Sequence, residues 1–119
     1  MQRADNGQWT PITGIVDPGE HPARTAVREA QEEADVEVEP VRLVSVDVVG
    51  PVTHTNGDVA SYLDLAFECV HVSGEPSPAD GENTSVRWFP IDDHPPMNER
   101  FTALLALALE DRPEAAFRC

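Results

Sequence analysis

The feature that most constrains this chain is a short helical segment with three carboxylates on one side. Pro22 opens it, at the position where a missing N–H costs nothing. Ala23, Ala26, Val27, Ala30 and Ala34 then recur at helical spacing. This thin stripe of small residues predicts close packing against a sheet. Glu29, Glu32 and Glu33 stand at i, i+3 and i+4 and project together from the polar side. Like charges so placed destabilise a helix by about 0.2–0.5 kcal/mol per pair. Arg28, four residues before Glu32, offsets part of this, but one guanidinium does not neutralise three acids. On an arbitrary helix the commoner explanation is a solvated charged face. The sharper one is a site for a hard divalent cation, because Mg2+ takes oxygen ligands and sits between carboxylates and phosphates. The helix is expected to stop near Asp35.

The remaining segments read as strands and one further helix. Residues 12–16 form a short apolar run, broken by the turn signal Asp17-Pro18-Gly19. Residues 41–49 are rich in β-branched side chains and predict a strand. Residues 59–72 predict a longer one, with Leu63, Leu65, Phe67 and Cys69 on one face. Between them lies Asn56-Gly57, the strongest short hairpin signal. Residues 85–89 predict another short strand, ended by Pro90. Beyond Pro95-Pro96, Phe101, Leu104, Leu105 and Ala108 fall on one side of a C-terminal helix. The order favours an α/β (α+β) class, a mixed sheet packed between helices, over any all-α or all-β class. With 119 residues, a single domain spanning 1–119 is expected.

Charge narrows the function. Eight cationic side chains, all arginine, oppose 22 acids, for a formal net charge of −14. With no lysine, Schiff-base chemistry is excluded. A balance this acidic argues against general binding to nucleic-acid polymers or anionic membranes, since both need basic surfaces. Cys69 and Cys119 are too few for a secreted-type disulfide framework. No stretch approaches the roughly 20 apolar residues of a bilayer span, and no signal-peptide core is visible. A cytoplasmic protein is the expectation.

The three acids belong to a longer pattern. Gly14 is followed by five residues and Glu20, then by seven residues and Arg28-Glu29, then by Glu32-Glu33. Six identities at fixed spacing arise by chance in roughly one chain in 10⁵ at ordinary residue frequencies of about 5–7 %. The pattern resembles the signature of the Nudix hydrolases (MutT-like). Arg3, Trp9 and Pro11 before it, and Val86-Arg87-Trp88-Phe89-Pro90 after it, are similar to flanking features of that family. There are departures. Asp35 stands where the family has a helix-ending glycine, Ala30 is smaller than the usual branched aliphatic, and Thr13 replaces the first of a common Gly-Gly pair. Only thirteen residues precede Gly14. Family members usually carry some tens there, including a strand, so the resemblance implies a domain without that strand or one whose strand comes from a second copy, as in a homodimer.

The resemblance implies an enzyme that cleaves a pyrophosphate bond in a nucleoside diphosphate linked to another moiety, with Mg2+ or Mn2+ as cofactor. By matching positions, Glu29, Glu32 and Glu33 would be metal ligands and one of them the base, with a backbone carbonyl near Thr13 or Gly14 adding an oxygen. Arg28 and Glu20 would form an ion pair that fixes the loop and orients the carboxylates. Glu82, six residues before Trp88, is the candidate acid from outside the motif. Arg3, Trp9 and Arg87 are candidates for contacts with a small nucleotide substrate, and Arg42 for a phosphate. A nucleoside triphosphate and an ADP-linked compound such as ADP-ribose both remain open as substrates. Two rivals stand beside this: a Nudix-shaped nucleotide-binding or regulatory module without turnover, and a small acidic interaction protein whose helix face is merely solvated.

Overall fold

A computed structural model describes residues 1–119. In chain order the elements are β1 (Gln2–Arg3), α1 (Pro22–Ala34), β2 (Glu37–Thr53), β3 (Val59–Ser73), β4 (Asn83–Ser85) and α2 (Glu99–Ala108). The α/β class holds. The strands pair as two antiparallel ladders, β1 with β4 and β2 with β3, and Ser45 of β2 adds a single parallel bridge to Ala116.

The small-residue stripe of α1 does what its pattern predicts. Ala30 and Ala34 are buried with Val36, and Ile12, Val38 and Val86 pack around them. Alanines let the helix backbone approach closely, so the polar side of the same helix sits low over the loops that follow. Asp35 ends α1 in the left-handed conformation (φ 56), where the family pattern has glycine. Its backbone N–H donates to the Gln31 carbonyl at 3.1 Å, and the next N–H, of Val36, reaches the Ala30 carbonyl at 3.4 Å.

Two strands differ from expectation. β2 begins four residues before Val41 and runs four beyond Val49. Its register shifts at Pro40 and again across Gly50-Pro51, so each proline is absorbed at an irregularity where no ladder N–H is required. β4 covers Asn83–Ser85 rather than 85–89. Its partner β1 offers only Gln2 and Arg3, so the ladder stops there; beyond it Val86 packs against the α1 core and Phe89 against Trp9, while Trp88 is exposed. In β3, Leu65, Phe67 and Cys69 are half-buried, but Leu63 is exposed. α2 lies where expected and starts on Asn98, whose side chain accepts the Phe101 N–H at 3.0 Å. No helix is long and apolar enough to cross a membrane.

Candidate active site

The site is assembled from α1, the loop before it and the loop before β4. Arg28 staples the first loop to the helix. Its guanidinium donates to both carboxylate oxygens of Glu20, at 2.8 and 3.0 Å, and to the Ile15 carbonyl at 3.0 Å. The same group pairs with Glu29 at 2.9 Å and Glu32 at 3.2 Å. Glu20 also accepts from the Thr25 hydroxyl at 2.6 Å and from the Asp17 N–H at 3.2 Å. The Arg28 hydrogen bonds, then that from Thr25, hold the Glu20 carboxyl down at about 2. The ion pair expected between these two residues is therefore the fastening of the loop.

That fastening sets Gly14 against Glu29. A Cβ at Gly14 would fall on the Cγ and carboxyl carbon of Glu29, so only glycine leaves room for that side chain. Glu29 is largely buried, and burial first of all raises its carboxyl pKa.

The loop of residues 74–82 is laced to the opposite end of α1. The Ser77 N–H donates to the Ala34 carbonyl at 2.9 Å, and the Asn83 amide donates to the Glu33 carbonyl at 2.9 Å. Both satisfy carbonyls that a helix end leaves without partners. Gly74 (φ +92) passes so close to the Asp35 carbonyl that a side chain there would collide with it. Within the loop, the Glu82 N–H donates to the Asp80 carboxylate at 3.0 Å, which turns both acids toward one side.

The result is a convergence of acids. One oxygen from each of Glu33, Asp80 and Glu82 lies within 4.8 Å of the others. Glu33 is only 3 % exposed, and its Oε2 is buried without a hydrogen-bond partner, as is Oδ1 of the adjoining Asn83. Burial, then the negative charges of Glu29, Asp80 and Glu82, push the Glu33 carboxyl up to about 7. Orphaned buried oxygens are rare in folded proteins. A donor set made only of carboxylate and amide oxygens is the kind a hard divalent cation takes.

The structure thus brings together Glu33 and Glu82, with Glu29 beside them over Gly14. Glu32 faces outward, half exposed, on the far side of Arg28. Arg3 is engaged by Asp5 at 2.6 Å, yet stands near enough to Glu33 and Glu82 to feel their charge. Trp9 and Arg87 lie elsewhere, against a largely apolar cavity of about 350 Å3. There Trp9 meets Phe89 edge-on at 5.2 Å, and the Arg87 guanidinium stacks on the same ring at 5.4 Å. Arg42 is spent on the fold: it caps carbonyls of Ala108 and Arg112 at 2.8 and 2.6 Å. The sequence reading missed Asp80 and Asn83. Asp80-Gly81-Glu82 did carry a signal, two acids flanking a turn glycine two residues apart.

Comparison with known proteins gives the family of the chain. The NUDIX domain family model matches residues 1–108. A MutT-like protein of Streptomyces ambofaciens is 32 % identical over 116 residues, covering 98 % of this chain and 68 % of that protein. A nucleoside triphosphate pyrophosphatase/Nudix hydrolase fusion protein of Bifidobacterium longum is 35 % identical over 92 residues, 77 % of this chain. The NAD-capped RNA hydrolase NudC of Pseudomonas aeruginosa is 32 % identical over 91 residues, 76 % of this chain. The chain spans only 18 % of the former and 30 % of the latter. Among solved structures, a MutT NUDIX hydrolase from Burkholderia pseudomallei is 28 % identical with a TM-score of 0.60, covering 85 % of this chain and 77 % of that one. An ADP-ribose pyrophosphatase from Streptococcus suis shares the fold at 24 % identity and a TM-score of 0.68, covering 98 % of this chain and 86 % of that one. The chain belongs to the Nudix family.

Proposed function

We propose that this chain is a Nudix pyrophosphohydrolase that uses a divalent cation to cleave a phosphoric anhydride in a small nucleotide, either a nucleoside triphosphate or an ADP-linked compound. The observation that carries this reading is the buried Glu33 carboxylate with an orphaned oxygen, gathered with Asp80 and Glu82 so that one oxygen of each lies within 4.8 Å of the others. A protein that merely solvates an acidic helix face has no reason to bury one of the acids and crowd two more onto it.

Glu33, Asp80 and Glu82 would hold Mg2+ or Mn2+, with Glu29 completing the set from above Gly14 and Glu32 at its outer rim. A divalent ion there would neutralise phosphate oxygens and lower the pKa of a bound water. The chain supplies the rest. Arg28 and Glu20 keep the loop of residues 14–20 fixed against α1, so that Glu29 is held in place before substrate arrives. Glu82, exposed on its loop, would accept the proton of the attacking water on the carboxylate oxygen that does not hold the ion. Arg3 stands near enough to Glu33 and Glu82 to feel their charge and offers a phosphate contact once it leaves Asp5. Trp9 and Arg87 present an aromatic face and a guanidinium suited to the nucleoside end. The printed name of one relative, a nucleoside triphosphate pyrophosphatase/Nudix hydrolase fusion protein, supports cleavage of a phosphoric anhydride. The bound-module reading is less favoured, because binding alone gains nothing from mutually repelling acids.

The test is a screen of nucleoside triphosphates, ADP-ribose and dinucleotides with Mg2+ and with Mn2+, read as release of nucleoside monophosphate, phosphate or pyrophosphate. Metal-dependent turnover of at least one compound, abolished by Glu33→Gln, is the expected result. Metal uptake without turnover of any of them would favour the binding module instead.

A further inference from the structure

The place of Asn83 is not explained by the fold alone. Asparagine is depleted in strands and mostly exposed in folded proteins, yet this one opens β4 at 4 % exposure. An aliphatic side chain there would carry no polar atom into the interior. The amide is anchored at one end only. Its nitrogen donates to the Glu33 carbonyl at 2.9 Å. That bond settles which way the amide faces, because the reversed orientation would set two acceptor oxygens against each other at the same distance. Oδ1 therefore points away from that carbonyl, buried and without a hydrogen-bond partner.

Glu33 Oε2 is buried in the same condition. These two are the only buried side-chain oxygens of the chain left without a donor, and they belong to residues bonded to each other. Two such acceptors in one place call for a guest that brings donors or positive charge. The neighbouring cations are engaged elsewhere. The Met1 ammonium, whose charge reaches Glu33, donates to the Thr10 carbonyl at 2.7 Å, and Arg3 is held by Asp5. A hydrated divalent ion supplies both needs, charge for the carboxylate and polarised water O–H groups for the amide, since Mg2+ keeps several waters when carboxylates bind it. Asparagine suits this task because it is neutral. An aspartate in its place would add one more charge to acids that already repel each other.

We propose that Asn83 positions the hydrated cation of this site: Oδ1 accepts a hydrogen bond from a water carried by the ion, and Nδ2 holds the end of α1 from which Glu33 reaches it. The inference rests on the cation reading above and extends it to a residue of β4. It is tested by calorimetric titration of Mg2+, Mn2+ and Ca2+ into the chelator-treated parent, Asn83→Leu and Asn83→Ala, with thermal melts in the chelator. Asn83→Leu should weaken Mg2+ and Mn2+ binding by about tenfold or more. Its metal-free melt should stay at or above that of the parent, because an unpaired buried acceptor has gone. Asn83→Ala, which meets no steric obstacle, should show the same loss of affinity, even where the vacated space lowers its melt. Ca2+, which gives up water more readily than Mg2+, should lose less. An Asn83→Leu protein that binds Mg2+ as tightly as the parent would overturn the proposal and leave the cation site standing, with Asn83 a cap on α1 and nothing more. Equal losses for Mg2+ and Ca2+ would overturn it as well, since a water-borne contact must be felt most by the ion that keeps its water. A folded parent that takes up none of the three ions would overturn the cation reading itself, and this proposal with it.

Discussion

Replacing Glu33 with glutamine should stabilise the metal-free protein, and only above acidic pH. Glu33 is buried, and its carboxyl is pushed up to about 7 from an ordinary value of 4.5 by burial and by the acids around it. In the unfolded chain it ionises freely. Below about pH 4.5 the group is protonated in both states and costs nothing. Between 4.5 and 7 the unfolded chain loses the proton first, so the folded state falls behind by up to about 3 kcal/mol, the full penalty being present above pH 7. Glutamine keeps the shape and removes the charge. Thermal melts with a chelator present should show Glu33→Gln above the parent by on the order of 10 °C at pH 8. The gap should shrink to nothing near pH 4. Adding Mg2+ should narrow the gap, raising the parent and leaving the variant where it was. A variant that melts with the parent across this range would refute the claim that Glu33 is a buried carboxyl whose charge the surrounding acids penalise.

Other perturbations address the parts that hold the pocket together. Arg28→Ala should lower the melting temperature at neutral pH and cut turnover by about 10–100-fold, the usual cost of losing the support of a metal ligand. The Glu20 carboxyl is held at about 2 against an ordinary 4.5, so the stability this pair contributes is fully present above about pH 4.5. It fades as pH falls toward 2, and melts of variant and parent should converge over that window. Gly14→Ala should leave the fold near native, because the collision is with the flexible Glu29 side chain, yet displace that carboxylate and weaken metal affinity by tenfold or more; unchanged affinity would remove Glu29 from the site. Asp35→Gly should stabilise by about 0.5–1 kcal/mol by relieving the left-handed conformation, read by urea denaturation; a loss would mean that the hydrogen bond from Gln31 to Asp35 outweighs backbone strain.

How far the site was legible in the sequence depends on whether a residue acts within its own segment. The α1 carboxylates and the end at Asp35 follow from spacing along one helix, which periodicity reports; the Arg28–Glu20 pair came only with the resemblance to the Nudix signature, since Glu20 lies in the loop before the helix. Asp80 and Asn83 were not legible in that way. They reach Glu33 because Gly74, Ser77 and Asn83 tie a loop to the end of α1, about fifty residues away, and no local pattern encodes that docking. The same holds for Arg42, which reads as a free cation and is consumed by carbonyls at the end of α2. The short β4 was missed for a related reason. Its length is set by the two residues of β1, not by the β-propensity of residues 86–89.

The central claim is that the acids gathered around Glu33 form a cation site. Calorimetric titration of Mn2+ into the chelator-treated, folded chain tests it directly. Saturable uptake at or below millimolar Mn2+, lost in Glu33→Gln and weakened in Glu82→Gln, is the predicted result. A folded parent that takes up no manganese, or takes it up equally well without the Glu33 charge, would contradict it.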